Sequence, residues 1–209
     1  MIFLTGPHCA GKTTIAKILT HHNFAHIDLG PTLRRIHREG TNGLSFEEWL
    51  SRGETQRGPH FTDNLLVEAI NKYIERLLLR ATPVQDLIIC GSRSLEGINY
   101  IVSRVTNLNR RKNVIVWVDA PKHLLWRRFC EKNGPISMTG FEELLEKDRE
   151  LGLDTIRKQA QYILTNDSLT IEGLVRKVRE LFFGTLKYSS EGLLVTIEGE
   201  YRIYKEQRI

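Results

Sequence analysis

Long apolar runs and clustered cysteines are both missing from this sequence. No stretch approaches the apolar length that crosses a bilayer, and the first residues form a strand-like run rather than a signal peptide. The three cysteines, Cys9, Cys90 and Cys130, are widely spaced, form no C-x-x-C pair and have no metal-like spacing to the histidines. These absences argue against a membrane-spanning or disulfide-stabilised protein and predict a cytoplasmic chain with reduced thiols.

No segment of the chain concentrates charge of one sign. Lysines and arginines number 30 against 25 aspartates and glutamates, which gives a formal net charge of +5 and a pI near 9.2. This balance suits a protein that handles phosphates, as nucleotides or as nucleic acid, and the lack of basic–aromatic alternation favours small molecules. With 209 residues, 41% of them hydrophobic, the chain is long enough for one α/β domain with a full core.

Short apolar runs alternate with helical patterns along most of the chain. Five continuous apolar runs predict strands buried on both faces of a parallel sheet, at 1–5, 24–27, 86–90, 113–118 and 162–165. Apolar residues at helical spacing predict helices over 61–80, 94–105, 122–131, 141–151, 154–161 and 170–183, and a turn at 28–31 opens a further helix at Thr32. The order predicts a layered α/β domain whose ligand lies at the carboxyl ends of the strands. Residues 189–209 break this rhythm and predict a β-hairpin.

The motif that carries function follows the first predicted strand. Residues 6–13 match G-x-x-x-x-G-K-[ST] at every fixed position and lead directly into a helical pattern. A phosphate loop needs this order, because its N–H groups wrap anionic oxygens and the positive end of the helix points at them. Lys12 is predicted to reach the β- and γ-phosphates, and the Thr13 hydroxyl to bind Mg²⁺. The predicted contacts to a nucleoside triphosphate are Gly6, His8, Cys9, Ala10, Gly11, Lys12, Thr13 and Thr14.

Cys9 occupies a variable position of this loop, where a residue can be a simple spacer. Its neighbours would be N–H groups and the Lys12 ammonium, which favour a thiolate. The position therefore predicts activity that is sensitive to thiol oxidation.

The motifs also come in a characteristic order along the chain. The phosphate loop, the Asp28 turn, Cys90-Gly91-Ser92-Arg93 and Trp126-Arg127-Arg128 together resemble the P-loop kinases of the adenylate kinase and nucleoside-monophosphate kinase group, over residues 1–183. Residues 141–150 and 160–168 are similar to the dephospho-coenzyme A kinase-like branch. The resemblance implies phosphoryl transfer from ATP with Mg²⁺ to a small acceptor, such as a nucleoside monophosphate or dephospho-coenzyme A.

The resemblance also implies a domain organisation. A three-layer P-loop kinase domain with a five-stranded parallel sheet is expected over 1–184. It would hold an acceptor-binding insert at about 31–80 and a helical lid at about 127–150. A C-terminal β-hairpin extension is expected over 185–209.

Individual residues gain roles from the same resemblance. Arg93 matches the arginine of the family's D-G-x-R pattern, which holds the acceptor or its phosphate. Asp28 stands where an acidic residue serves an acceptor hydroxyl as base or organises Mg²⁺; a helix cap is the alternative. The predicted catalytic residues are Lys12, Asp28, Arg93 and Arg127. The predicted acceptor contacts are Arg34, Arg93 and Arg128, the metal contacts Thr13 and Asp28, and the further nucleotide contacts Arg127 and Asn166.

One position departs from the family pattern. Cys90 stands where the Asp of D-G-x-R is common, so the usual indirect Mg²⁺ contact from this strand is missing. Either Asp28 compensates, or metal binding is weak and turnover slow. Two other functions stay open: a kinase acting on a polynucleotide end or modified base, and a non-catalytic ATP-binding switch whose terminal hairpin docks a protein partner.

Overall fold

A parallel sheet forms the centre of the computed structural model, which describes residues 1–40, 43–80, 84–105, 112–167 and 170–188. The predicted strands are confirmed, with small shifts at their ends, as β1 (Ile2–Thr5), β2 (Ala25–Asp28), β3 (Leu87–Cys90), β4 (Val114–Asp119) and β5 (Tyr162–Thr165). The strand order is β2-β3-β1-β4-β5, and every neighbouring pair runs parallel. The phosphate loop therefore leaves the central strand, at the edge where the carboxyl ends of all strands meet.

Helices cover both faces of this sheet, as the three-layer prediction requires. In chain order they are α1 (Lys12–Thr20), α2 (Leu29–Gly40), α3 (Phe46–Arg57), α4 (Phe61–Leu79), α5 (Leu95–Arg104), α6 (Lys122–Asn133), α7 (Met138–Glu150), α8 (Leu153–Gln159) and α9 (Ile171–Arg179). The last one continues as a π-helical segment over Glu180–Thr185. Within the described ranges, no helix combines the length and the apolar character that a membrane crossing needs.

The continuous apolar runs are buried because alternate side chains of one strand enter two different cores. Ile2 and Leu4 of β1 belong to one hydrophobic cluster, on the face of α1 and α9. Phe3, between them, belongs to the other cluster, together with residues of α4, α5 and α8. This double burial explains the scarcity of polar residues in β1, β3 and β4. The prediction of two buried faces is wrong for β5, because this strand lies at the sheet edge and its Ile163 is 57% exposed.

The region after β2 differs from the sequence analysis by one wrong prediction and one helix that was not predicted. The turn at 28–31 is absent, because α2 begins at Leu29 directly after β2; Pro31 fits in its first turn, where a proline ring breaks no helical hydrogen bond. Helix α3 was not predicted. Its signal was the capping box, in which Ser45 Oγ accepts from the Glu48 amide and the Glu48 carboxylate accepts from the Ser45 amide.

The chain is packed into the core beyond the predicted domain boundary at 184. Tyr188 is buried, and its ring lies 4.9 Å from the ring of Phe24. The Tyr188 hydroxyl donates to Asp86 Oδ2 at 2.7 Å, while Asp86 Oδ1 accepts from the Leu87 amide at 2.8 Å. This segment is thus fixed at the start of β3. The predicted hairpin strands lie in 189–209, outside the described residues.

Replacing Tyr188 with phenylalanine is expected to destabilise the fold. The change leaves a fully buried carboxylate oxygen without its hydroxyl donor, at a cost of about 1–3 kcal/mol in the free energy of unfolding. Urea denaturation followed by circular dichroism measures the difference. Tyr162→Phe is the matched control, since its ring is partly exposed; equal losses in the two variants would contradict the assignment.

Candidate active site

The phosphate loop has a backbone that requires glycine at its two fixed positions. Gly6 has a φ of 134° and Gly11 a φ of 101°, both in the left-handed region. A Cβ on Gly6 would lie 2.2 Å from the Val118 carbonyl oxygen of β4, and one on Gly11 would lie 2.3 Å from Asn166 Nδ2. The loop therefore passes close against β4 and against Asn166, the residue that follows β5.

Lys12 and the start of α1 form the positive centre of this loop. The Lys12 ammonium donates to the carbonyl oxygens of Gly6 at 2.6 Å and Pro7 at 2.7 Å. Withdrawal from solvent lowers the pKa of Lys12, against the opposing influence of Asp148 and Asp28. Helix α1 begins with Gly11 as its N-cap and has no side-chain cap, which leaves its first N–H groups for an anion.

Asn166, which follows β5, holds the phosphate loop through a side-chain hydrogen bond. It is buried, and its Nδ2 donates to the Ala10 carbonyl at 2.8 Å. The main-chain carbonyl of Asn166 accepts from both terminal nitrogens of Arg128 at 3.3 Å. The structure thus gives Asn166 a role in holding the loop, in addition to the nucleotide contact that the resemblance implies.

Thr13 and Asp28 meet at the ends of the loop and β2. The Thr13 hydroxyl donates to Asp28 Oδ2 at 3.1 Å. Cys90, at the end of β3, is buried, and its thiol lies 3.9 Å from the Lys12 carbonyl. Burial strongly raises the pKa of Cys90, and the nearby Asp28 raises it further, so the thiol stays neutral. Asp28 is then the acid that stands closest to Thr13.

A cleft of about 800 Å³ joins these groups. Predicted site residues that line it are Gly6, His8, Cys9, Gly11, Lys12, Thr13, Thr14, Asp28, Arg34, Arg93, Arg128 and Asn166. Ala10 does not line it, since its side chain is fully buried and only its main chain belongs to the loop. Arg127 does not line it either.

The paired arginines on α2 and α6 divide between the cleft and the surface. Arg34 lines the cleft, whereas Arg35 faces the groove between α2 and α4 and pairs with Glu39 at 3.2 Å. Arg128 lines the cleft, whereas Arg127 points away and lies 3.5 Å from Glu131. The prediction that preferred Arg127 over Arg128 for a phosphate contact does not fit this conformation, because neighbouring residues of a helix face different sides.

Three side chains from distant parts of the chain form a closed ring in the cleft. His8 Nδ1 lies 2.6 Å from Asp148 Oδ2, and Arg93 Nη2 lies 2.9 Å from His8 Nε2. Arg93 Nη1 lies 3.4 Å from Asp148 Oδ1, which closes the ring. We call this arrangement the His8–Arg93–Asp148 ring. It connects the phosphate loop, the turn after β3 and α7, which belongs to the predicted lid.

Asp148 is the residue of this ring that sequence reasoning missed. It lies in a charged stretch that looks solvated, yet its side chain is only 5% exposed. Burial alone would raise the pKa of Asp148, but the His8 hydrogen bond and the charges of Arg93 and Lys12 outweigh it and lower the pKa. Ser92 was also missed as a separate site: it lines the cleft, and its buried hydroxyl has no hydrogen-bond partner among the described residues. Nothing in one sequence separates either residue from its neighbours.

The structure corrects the expectation of a reactive Cys9 thiolate. Burial raises the pKa of the Cys9 thiol and outweighs the opposing charges of Lys132, Lys12 and Arg128. Position in a phosphate loop is therefore not enough to make this cysteine a thiolate, because it is withdrawn from solvent.

The stabilising charge of Asp148 should disappear in acid. Because its folded-state pKa is lowered, its contribution is present above the ordinary carboxyl range near pH 4 and is lost as the pH falls through the lowered value. Asp148→Asn is expected to lower the free energy of unfolding by about 1–2 kcal/mol at pH 7, and the gap is expected to narrow as the pH falls from the ordinary carboxyl range, near pH 4, through the lowered pKa of Asp148. Urea titrations between these pH values measure it, with the exposed Glu150→Gln as control. A gap that persists in acid would contradict the assignment.

Comparisons with known proteins agree on the fold. No protein-family model matches the chain. A UPF0200 protein of Pyrobaculum aerophilum is 23% identical over 172 residues, which cover 81% of this chain and 88% of that protein.

Solved structures of similar shape include shikimate kinases. That of Acinetobacter baumannii, solved with shikimate, has a TM-score of 0.52 at 17% identity and covers 88% of this chain and 92% of its own. That of Bacteroides thetaiotaomicron has a TM-score of 0.51 at 21% identity, covering 87% and 97%. A tunicamycin resistance protein of Deinococcus radiodurans has a TM-score of 0.52 at 17% identity, covering 87% and 94%. The chain therefore has the three-layer P-loop kinase fold that its sequence predicts.

Proposed function

We propose that this protein transfers the γ-phosphoryl group of ATP to a small acceptor, with Mg²⁺. The observation that carries the proposal is the single cleft in which Lys12, the Thr13–Asp28 pair and the arginines Arg34, Arg93 and Arg128 come together. Phosphoryl transfer requires this set, since catalysis consists mainly of positioning two anionic partners and neutralising the charge between them. A nucleoside monophosphate or dephospho-coenzyme A is the acceptor we favour.

The phosphate loop and the start of α1 form the side of the cleft that would bind the nucleotide. The open N–H groups of α1 and the Lys12 ammonium provide donors for the triphosphate. Lys12 is already held by two loop carbonyls, so its charge stays in the loop until phosphate oxygens replace them. The Arg128 guanidinium donates to the Asn166 main-chain carbonyl and adds a positive charge from the predicted lid.

The Thr13–Asp28 pair fits a magnesium ion. Mg²⁺ takes oxygen ligands, keeps several waters and needs few protein groups besides the phosphates. A hydroxyl and a carboxylate at 3.1 Å from each other offer that chemistry, whereas the neutral Cys90 thiol does not. When bound, the ion would neutralise charge on the phosphates. Cys90 stands where the Asp of the family pattern is common. We propose that Asp28 provides the carboxylate that is missing at that position and that it also faces the acceptor.

The acceptor side is formed by Arg34 and Arg93, with Gly91 between β3 and the cleft. A Cβ on Gly91, which has a φ of 94°, would lie 3.3 Å from Asp28 Oδ1. Glycine at this position keeps the approach to the Asp28 carboxylate open. Two guanidinium groups that line the same cleft as that carboxylate favour an acceptor that carries both an anionic group and the oxygen to be phosphorylated.

The first test is phosphoryl transfer from γ-labelled ATP to an acceptor panel. The panel contains ribo- and deoxynucleoside monophosphates, dephospho-coenzyme A, shikimate, and short DNA and RNA. Label is expected to move to one small acceptor, and Lys12→Ala is expected to lower kcat by about 10²–10³-fold or more, because it removes a cation from the transferring group. Lys17→Ala is the matched control, as Lys17 is exposed on the same helix. ATP binding without transfer to any acceptor would contradict the proposal and favour the switch.

A second test asks whether Asp28 or Cys90 contributes to the binding of Mg²⁺. Asp28→Asn keeps the size of the side chain but removes its charge, and is expected to lower kcat by about 10²-fold and to raise the Mg²⁺ concentration for half-maximal rate. Cys90→Ala removes a neutral thiol and is expected to leave the Mg²⁺ dependence unchanged. The readout is initial rate against Mg²⁺ for each variant. A shift in Mg²⁺ dependence in Cys90→Ala alone would refute the assignment.

A further inference from the structure

We propose that His8 and Asp148 are positioning residues that hold the Arg93 guanidinium ready for the anionic group of the acceptor. The inference rests on the proposed role of Arg93 in phosphoryl transfer and extends it to two residues outside the acceptor site itself. Its basis is the His8–Arg93–Asp148 ring, which fixes a long side chain from two directions.

The chemistry of the ring determines where its protons lie. An arginine side chain has only donors, so His8 Nε2, 2.9 Å from Arg93 Nη2, must accept and carries no proton. His8 Nδ1 then carries the proton and donates a hydrogen bond to Asp148 Oδ2 at 2.6 Å. In this state the ring holds one carboxylate, one guanidinium and one neutral imidazole, and its formal charge is zero. It can therefore stand in a partly buried place without an unpaired charge.

The ring leaves part of the guanidinium available. Arg93 has five N–H donors, and the ring engages one terminal nitrogen with His8 and the other with Asp148. Both side chains line the cleft, and Arg93 is 50% exposed whereas Asp148 is 5% exposed. Ser92, next to Arg93, adds a buried hydroxyl without a partner among the described residues. An anion in the cleft would thus meet unused donors on a side chain that is already ordered.

The turn that follows α7 contacts the backbone beside the ring. Gly152, at the turn that follows α7, has a φ of 100°, and a Cβ there would lie 3.8 Å from the Arg93 carbonyl oxygen. Phe141 of the same helix is fully buried in the central core. Asp148 is therefore held by a packed helix rather than by a freely moving segment. Ordering Arg93 in advance reduces the conformational entropy that acceptor binding would otherwise cost.

The first experiment determines which nitrogen of the His8 imidazole carries the proton. Two-bond ¹H–¹⁵N correlation spectra of histidine-labelled protein at neutral pH show which imidazole nitrogen carries the proton. We expect His8 to be protonated at Nδ1 and unprotonated at Nε2, with His8→Ala used to assign the signal. Protonation at Nε2 would overturn the proposal, because that nitrogen could no longer accept from Arg93.

The second experiment measures binding of inorganic phosphate to protein loaded with ADP and Mg²⁺, so that the phosphate loop is already filled. Titration calorimetry is expected to show weakening on the order of tenfold in His8→Ala and Asp148→Ala. His8→Gln, whose Oε1 can accept from Arg93, is expected to recover most of the loss. Arg127→Ala, outside the cleft, is the control and is expected to bind phosphate as the unaltered protein does.

The double variant decides between positioning and a general structural effect. In an Arg93→Ala background, His8→Ala is expected to cause no additional loss, because it acts through Arg93. An equal loss in both backgrounds, tighter phosphate binding in His8→Ala, or no phosphate binding to the unaltered protein would each overturn the proposal. Phosphoryl transfer is measured separately on the acceptor panel, so a failure here is distinguishable from a failure of the kinase function.

Discussion

The enclosure of the Lys12 ammonium by its own loop is the constraint on which the rest of the site depends. The carbonyls of Gly6 and Pro7 can turn toward this charge only if the loop adopts left-handed backbone at Gly6 and Gly11. That path brings Gly6 against the Val118 carbonyl and Gly11 against Asn166. The phosphate loop is therefore packed against β4 and against the residue that follows β5, while β1 itself pairs with β3 and β4.

The cleft balances its charges by pairing most cations with specific acceptors. Arg128 is held by a main-chain carbonyl, Arg93 by Asp148 and His8, and Lys12 by loop carbonyls. In each case the acceptor is one that a phosphate oxygen could replace or supplement. The exposed arginines Arg35 and Arg127 pair instead with glutamates one turn along their helices. This difference in partners separates the site from the surface more clearly than the presence of arginine does.

Much of the fold could be read from local patterns, and the errors have local causes. The inner strands were predictable because burial on both faces removes polar residues from them, whereas the edge strand β5 was predicted from its apolar run although one of its faces is exposed. Helix α3 was missed since it is largely exposed and buries only Gly53, which gives a weak apolar pattern, although the Ser45–Glu48 capping box marked its start. The packing of Tyr188 could not be read from the sequence, because its burial depends on Phe24 and Asp86, far away in sequence.

The sequence by itself determined the phosphate loop, the alternation of strands and helices, and the position of Asp28 at a strand end. These features are written in short spacings that a single segment contains. Only the tertiary structure decided which arginine of each pair enters the cleft, that the Cys9 and Cys90 thiols stay protonated, and that Asp148 meets His8 and Arg93. Desolvation and pairing between distant side chains control these outcomes, and both depend on the complete packed chain.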